Sequence, residues 1–185
     1  MASNQPIKAI QVRIDNNINI PQPGSYISGT NAAGLPGNTI TDLSANFLGV
    51  SNPGNTGFSN KVNIGDVVYI DDPLGTPIAA VINEIVSNNE IKVSGVLISG
   101  TSTYKIYRAN GGYTVLGAQP VTGLEGYSLY VGGTGGGELS VIPAGSSDPV
   151  IFKGLTAGDF IPLRVVRVNS LGTDVTDILA LDGDV

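Results

Sequence analysis

Cysteine and histidine are both missing from this 185-residue sequence. Without thiols there is no disulfide, no thiolate nucleophile and no cysteine metal site. Without imidazole, the commonest general base, the usual metal ligand and every Ser–His or Cys–His pair are excluded as well. Tryptophan is also missing, and only 13% of residues are charged, against about 25% in an average soluble domain. Long hydrophobic runs are absent too: no window approaches the roughly 20 apolar residues that span a membrane. MASNQPIKAIQVRIDNN has no apolar stretch after its first positive charge, so neither a membrane partner nor a secretory signal is expected. Positive charge is scarce, with 9 Lys and Arg against 15 Asp and Glu and a formal net charge of −6. The basic residues are scattered, whereas displacing counterions from a nucleic-acid backbone needs clusters of them, so nucleic acid is not an expected partner.

Glycine and proline are abundant, 26 and 11 residues respectively, and they recur every few positions between short runs rich in Val and Ile. Strands bounded by turns explain this pattern better than helices. The expected fold is all-β: an extended N-terminal arm, a small β-barrel or sandwich module, and a second antiparallel β module. The arm spans 1–38. Its one strand candidate is Ile7 to Ile14, after which INIPQPGSYISGTNAAGLPGN carries prolines and glycines that oppose regular structure. The same stretch holds Ile18, Ile20 and Tyr26, and apolar residues along an extended segment imply an arm laid on another surface, either its own domain or a neighbouring subunit.

The module at 39–110 offers four strands, in NIGDVVYIDD, TPIAAVINEIV, NEIKVSG and STYKIYR, joined by short turns as a meander. Unbroken apolar runs at VVYI and IAAVI imply strands covered on both faces. A connector at 111–125 leads to the module at 126–185, with strands in SLYVGG, ELSVIPAG, PVIFKG, FIPLRVVRV and DILAL. Arg164 and Arg167 interrupt the longest of these without following one face, which places at least one at a strand edge or subunit interface. Tyrosines suit interfaces because they combine area, low rotamer entropy and a polar tip; Tyr104, Tyr107 and Tyr113 share that property with Tyr26, Tyr127 and Tyr130. The expected interface set is Ile7, Ile10, Val12, Ile18, Ile20, Tyr26, Tyr127, Tyr130, Arg164 and Arg167.

Three patterns invite a chemical reading. YVGGTGGGEL, residues 130–139, has glycines at 132 and 137 with the spacing of a phosphate loop. Glu138 and Leu139 stand where Lys and Ser or Thr belong, and a strand rather than a helix follows, so the loop reads as a connection between strands. Asp15-Asn16-Asn17, Asp71-Asp72 and Asp182-Gly183-Asp184 carry oxygen ligands suited to calcium but lack the alternating spacing of a calcium loop, and Asx turns explain them equally well. Glu84, Glu90, Glu125, Glu138 and Asp159 include every candidate for a glycosidase-type carboxylate pair, yet nothing in the sequence sets two of them face to face. No catalytic residue, metal or cofactor is expected.

GYSLYVGGTGGGELSVIP followed by DPVIFKGLTAGDFIPLRVVRVNSLGTDVTDILAL resembles the C-terminal region of spike base proteins and related small head proteins of tailed phages and gene-transfer agents. The resemblance spans about residues 126–181 and rests on Leu129 to Gly133, Leu139 to Val141, Phe152 to Gly158, Phe160 to Val168, Leu171 to Thr176 and Ile178 to Leu181. Similar chains commonly carry an aromatic residue just after the last Ala-Leu, where this sequence has Asp182-Gly183-Asp184-Val185. The resemblance implies a non-enzymatic virion protein made in the host cytoplasm and placed at the capsid surface. Its expected partners are the major capsid protein or other virion proteins, and a homo-oligomer, with a trimer favoured. Within that class a capsid decoration or cement protein is the leading expectation and a head-spike base or neck or tail adaptor the alternative. A carbohydrate-binding β module stands as the alternative from another class.

Overall fold

The computed structural model describes residues 8–24, 26–32, 37–49, 61–71, 77–95, 101–110, 126–133 and 137–182. Ile7, Tyr113, Glu125, Asp72, residues 183–185 and the connector 111–125 lie outside them. The described residues contain strands and no helix. In chain order these are β1 (Lys8–Gln11), β2 (Tyr26–Thr30), β3 (Thr39–Thr41), β4 (Val67–Asp71), β5 (Ile78–Ser87), β6 (Glu90–Val93), β7 (Thr103–Tyr107), β8 (Tyr127–Val131), β9 (Gly137–Pro143), β10 (Val150–Leu155), β11 (Phe160–Val168) and β12 (Ile178–Asp182). All pairings are antiparallel and build two six-stranded sheets, ordered β1-β12-β8-β11-β9-β10 and β2-β7-β4-β5-β6-β3. The chain divides into two units accordingly, one holding 8–24 and 126–182, the other 26–109.

In the unit that contains the C-terminal strands, register places Ile10 opposite Ala180, Ala180 opposite Leu129, and Leu129 opposite Ile161. These four form one apolar row across β1, β12, β8 and β11, and all four are buried. A period of two along each strand puts every second residue on this face, so alternation in IKAIQV, YSLYV and DILAL translates directly into a core. The N-terminal segment is stitched along this sheet beyond β1: the Val12, Asp15 and Ile20 N–H groups donate to Ile178, Val168 and Val166 carbonyls at 2.8, 3.1 and 2.8 Å.

The stretch 1–38, expected as one arm, is therefore divided. Its first part completes the C-terminal sheet, and YISGT, expected to be irregular, is the edge strand β2 of the other sheet. The prolines and glycines around it do not prevent β2, because its N–H and C=O groups find partners on β7 from Tyr26↔Tyr107 to Thr30↔Thr103.

The second unit centres on Ile40, Phe47, Val62, Val68, Ile70, Ala80, Ile82, Ile91, Val93, Tyr104 and Ile106. β4 is buried on both faces from Val67 to Ile70, as its unbroken apolar run requires. The four strands β4 to β7 do not form a simple meander, however: β7 returns to the far side of β4 and pairs Ile106 with Val68. The sheet curls into a half-barrel, bringing the ends of its outer strands β2 and β3 together, where the Ala32 N–H donates to the Thr41 carbonyl at 2.6 Å.

The glycine loop after β8 has a packing job. β8 and β9 are not neighbours, since β11 lies between them, and the first two glycines after β8 pack against the turn before β12. There the Gly132 and Gly133 N–H groups donate to the Asp177 and Thr176 carbonyls, both at 3.0 Å. A Cβ added at Gly133 would land on Thr176 Oγ1 and stand 2.8 Å from the Thr176 backbone. Overpacking of this kind costs about 1–3 kcal/mol, so Gly133→Ala should lower the urea midpoint measurably. An unchanged midpoint would mean that the loop can move away from Thr176.

Candidate functional site

Aspartates that looked available for ligands turn out to organise the backbone. Asp15 Oδ1 accepts from the Asn17 and Ile18 N–H groups at 2.7 and 3.0 Å, and Asn16 Oδ1 accepts from Ser170 N–H at 2.9 Å, so the Asp-Asn-Asn cluster is an Asx turn that also clips the turn after β11. Asp159 accepts from the Thr156 N–H and hydroxyl. Glu84 pairs with Lys92 at 2.9 Å and Glu138 with Lys153 at 2.7 Å, all four side chains substantially exposed. In both lysines, the hydrogen bond to the glutamate, then its charge, raises the pKa above the usual 10.5. Among the described residues no group of three or more His, Cys, Asp or Glu is placed to hold a metal ion.

Two buried acids stand apart. Asp42, just after β3, is the hub of the seam where the half-barrel ends meet. Its Oδ2 accepts from Tyr104 OH at 2.7 Å and Thr30 N–H at 3.3 Å, and its Oδ1 accepts from Ser44 N–H and Oγ at 2.9 and 2.6 Å. Asn89 Nδ2 reaches the carbonyls of Asp42, Leu43 and Ala45 from the β5–β6 turn, while Asn31 Oδ1 takes the Thr41 N–H. Burial pushes Asp42 up, but the hydrogen bonds from Ser44, Tyr104 and Thr30 outweigh it and leave the carboxyl below the ordinary 3.8. Tyr104 is pushed far up by burial and by its bond to Asp42. Such a cluster, with each carboxylate oxygen satisfied, specifies a geometry rather than a reaction.

Asp66, before β4, accepts from Arg108 Nη1 at 2.8 Å, Asn63 N–H at 2.8 Å and Ala109 N–H at 3.3 Å, while Arg108 Nη2 donates to the Lys61 carbonyl at 2.6 Å. Burial dominates and raises this carboxyl, against the opposing pull of those donors. This clamp fixes the entry to β4 against the exit of β7.

The residues expected at an interface separate by burial. Ile10, Val12, Ile20 and Tyr127 lie in the core of the unit that contains the C-terminal strands, and Ile18 is half-buried beside the Asp15 turn. Tyr104 and Tyr107 are buried as well. Tyr26 on β2 and Tyr130 on β8 are exposed. Arg164 is exposed and donates through Nη1 to the Gly126 carbonyl at 3.0 Å. Arg167 is half-buried, and its Nε is buried without a hydrogen-bond partner among the described residues. Neither arginine stands on an edge strand, because β11 lies inside its sheet.

Comparisons with family models, curated proteins and solved structures find no match to this chain. The exposed large apolar side chains include Tyr26 on the edge strand β2, Val150 and Ile151 on the edge strand β10, and Leu43 and Leu171 in turns. The apolar edge in PVIFKG is not legible in the sequence, because an apolar run identifies a strand but not its place in the sheet.

Proposed function

We propose that the chain is a virion structural protein, a capsid decoration or cement protein that binds and stabilises a phage head shell, acting in multiple copies and without catalysis. The observation that carries this reading is that exposed apolar side chains stand on the edge strands β2 (Tyr26) and β10 (Val150 and Ile151) and in turns (Leu43 and Leu171), positions that suit main-chain and side-chain contact with other proteins. The ion-paired and capping carboxylates favour a structural role over a catalytic one. The resemblance over 126–181 supports it further, since the pieces that carry it fall on β8, β9, β10, β11 and β12 and on turns beside them.

The decisive experiment mixes the purified chain with shells of the phage or gene-transfer agent that encodes it, then images the particles. A regular lattice of added density over the shell is the expected result. Density confined to one vertex would assign the spike-base or neck-adaptor role instead, and no association with shells would overturn the virion reading. The sugar-binding alternative is less favoured by the geometry around Tyr26, whose ring has Lys105 Nζ 5.2 Å from its centroid and Tyr107 tilted against it at 5.4 Å.

A further inference from the structure

Among the described residues, four strands form the outer edges of the two sheets: β1 and β10 in one, β2 and β3 in the other. Edge strands offer unpaired N–H and C=O groups, and proteins usually blunt them with polarity, brevity, proline, lysine or bulges. β3 has three residues, β1 reads Lys-Ala-Ile-Gln, and β2 holds Ser and Gly in its second half. β10 differs, presenting Val150, Ile151 and Phe152 in succession, with Val150 40% and Ile151 49% exposed. A Cβ built on Gly172 would stand 3.9 Å from Ile151 Cδ1, so the turn that also carries Leu171, 83% exposed, lies beside Ile151. The window is short and bounded. Pro149 precedes it, Lys153 follows, and the register with β9 slips between Lys153 and Leu155, at Gly154 with φ 72°.

We propose that this edge pairs with the same edge of a second copy, antiparallel about a two-fold axis through Ile151. The sequence Pro149-Val150-Ile151-Phe152-Lys153 supplies the reason. An antiparallel pair related by such an axis must set a residue opposite itself, and its neighbours opposite one another. With Ile151 at the centre, Val150 faces Phe152 of the second copy, so all three positions of the window meet apolar partners. Lys153 then faces Pro149, no like charges are opposed, and Lys153 keeps its ion pair with Glu138 on the flank. A register centred on Val150 would instead put Phe152 opposite Asp148, and one centred on Phe152 would put Lys153 opposite Ile151. Pro149, Lys153 and the bulge limit pairing to this one register and block open-ended strand stacking. The contact closes after two copies and continues the six-stranded sheet of one across into the other. It does not depend on the virion reading.

Because the chain has no cysteine, a single introduced thiol reports the geometry. Directly opposed residues on an antiparallel pair have Cβ atoms about 4.5–5.5 Å apart, so Ile151→Cys should crosslink to itself under mild oxidation. Val86→Cys, comparably exposed on β5, should not. Sedimentation of the wild-type chain should give twice the monomer mass, and Ile151→Lys should return it to one while retaining the wild-type circular dichroism. A wild-type monomer, an Ile151→Cys chain that crosslinks no faster than Val86→Cys, or an Ile151→Lys dimer would each overturn the proposal.

Discussion

A chain lacking residues 1–20 is expected to lose the stable packing of the sheet β12-β8-β11-β9-β10. The segment contributes Ile10, Val12 and Ile20, all buried, and burying each such side chain is worth about 1.5–3 kcal/mol. The sum approaches the stability of a whole domain, about 5–15 kcal/mol. Deletion also removes the entropic cost of ordering the segment, so the net loss is smaller than the sum. What cannot be recovered is the surface left behind. β12 becomes a bare edge, and the carbonyls of Val166, Val168 and Ile178 lose the N–H groups of Ile20, Asp15 and Val12. A point substitution separates packing from chain length: Ile20→Ala should cost about 2–5 kcal/mol, the range for truncating a buried Ile. Urea denaturation followed by amide exchange in β8 and β12 checks both, and a truncated chain with the wild-type midpoint would contradict the assignment of this segment to the core. The consequence for function is direct. Failure of the truncated chain to bind shells would report a damaged fold, so a docking surface has to be mapped with exposed residues such as Tyr26 and Tyr130.

The strands themselves were readable because their alternation and turn residues are local. SLYVGG, ELSVIPAG, PVIFKG, FIPLRVVRV and DILAL became β8 to β12, and the four strands of the middle module became β4 to β7. What the sequence could not reveal is which strand lies beside which. TYKIY has the alternation of a strand, but only its register with Val68 places it next to β4 rather than β6. YISGT was hidden by the prolines and glycines around it, although Tyr-Ile-Ser alternates correctly; its partners lie on β7, some 80 residues away. The polar clusters were invisible for the same reason. Asp42 in TITDLSANF and Asp66 in NIGDVV each look like an ordinary turn aspartate, and the residues that give them meaning, Tyr104 and Arg108, sit 62 and 42 positions further on. The interface candidates failed to separate by sequence because an alternating apolar residue buried in its own core and one awaiting a partner are the same residue type.

Arg108→Ala is expected to destabilise the half-barrel unit by about 3 kcal/mol. Removing one partner of a buried ion pair typically costs about 3–5 kcal/mol, because the remaining charge is left in a poorly solvating site. The lower end applies because Arg108 keeps 24% of its side chain exposed, whereas Asp66 keeps 1%. The effect carries a pH signature. Asp66 already has a folded-state pKa above the ordinary 3.8, owing first to burial. The folded state therefore binds the proton more tightly than the unfolded chain, and this group's contribution to stability falls as pH rises from 3.8 through the raised value. Loss of the arginine charge raises that value further and widens the window. The deficit of Arg108→Ala relative to wild type should consequently be small in acid, where Asp66 is protonated in both proteins, and reach its full size near neutral pH. Adding Asp66→Asn to Arg108→Ala removes the buried charge and should recover part of the loss, a non-additivity that a double-mutant cycle measures. A deficit that is equal at acid and neutral pH, or a double variant as unstable as the sum of the two single ones, would mean that Arg108 acts through its bond to the Lys61 carbonyl and its packing rather than through the charge on Asp66.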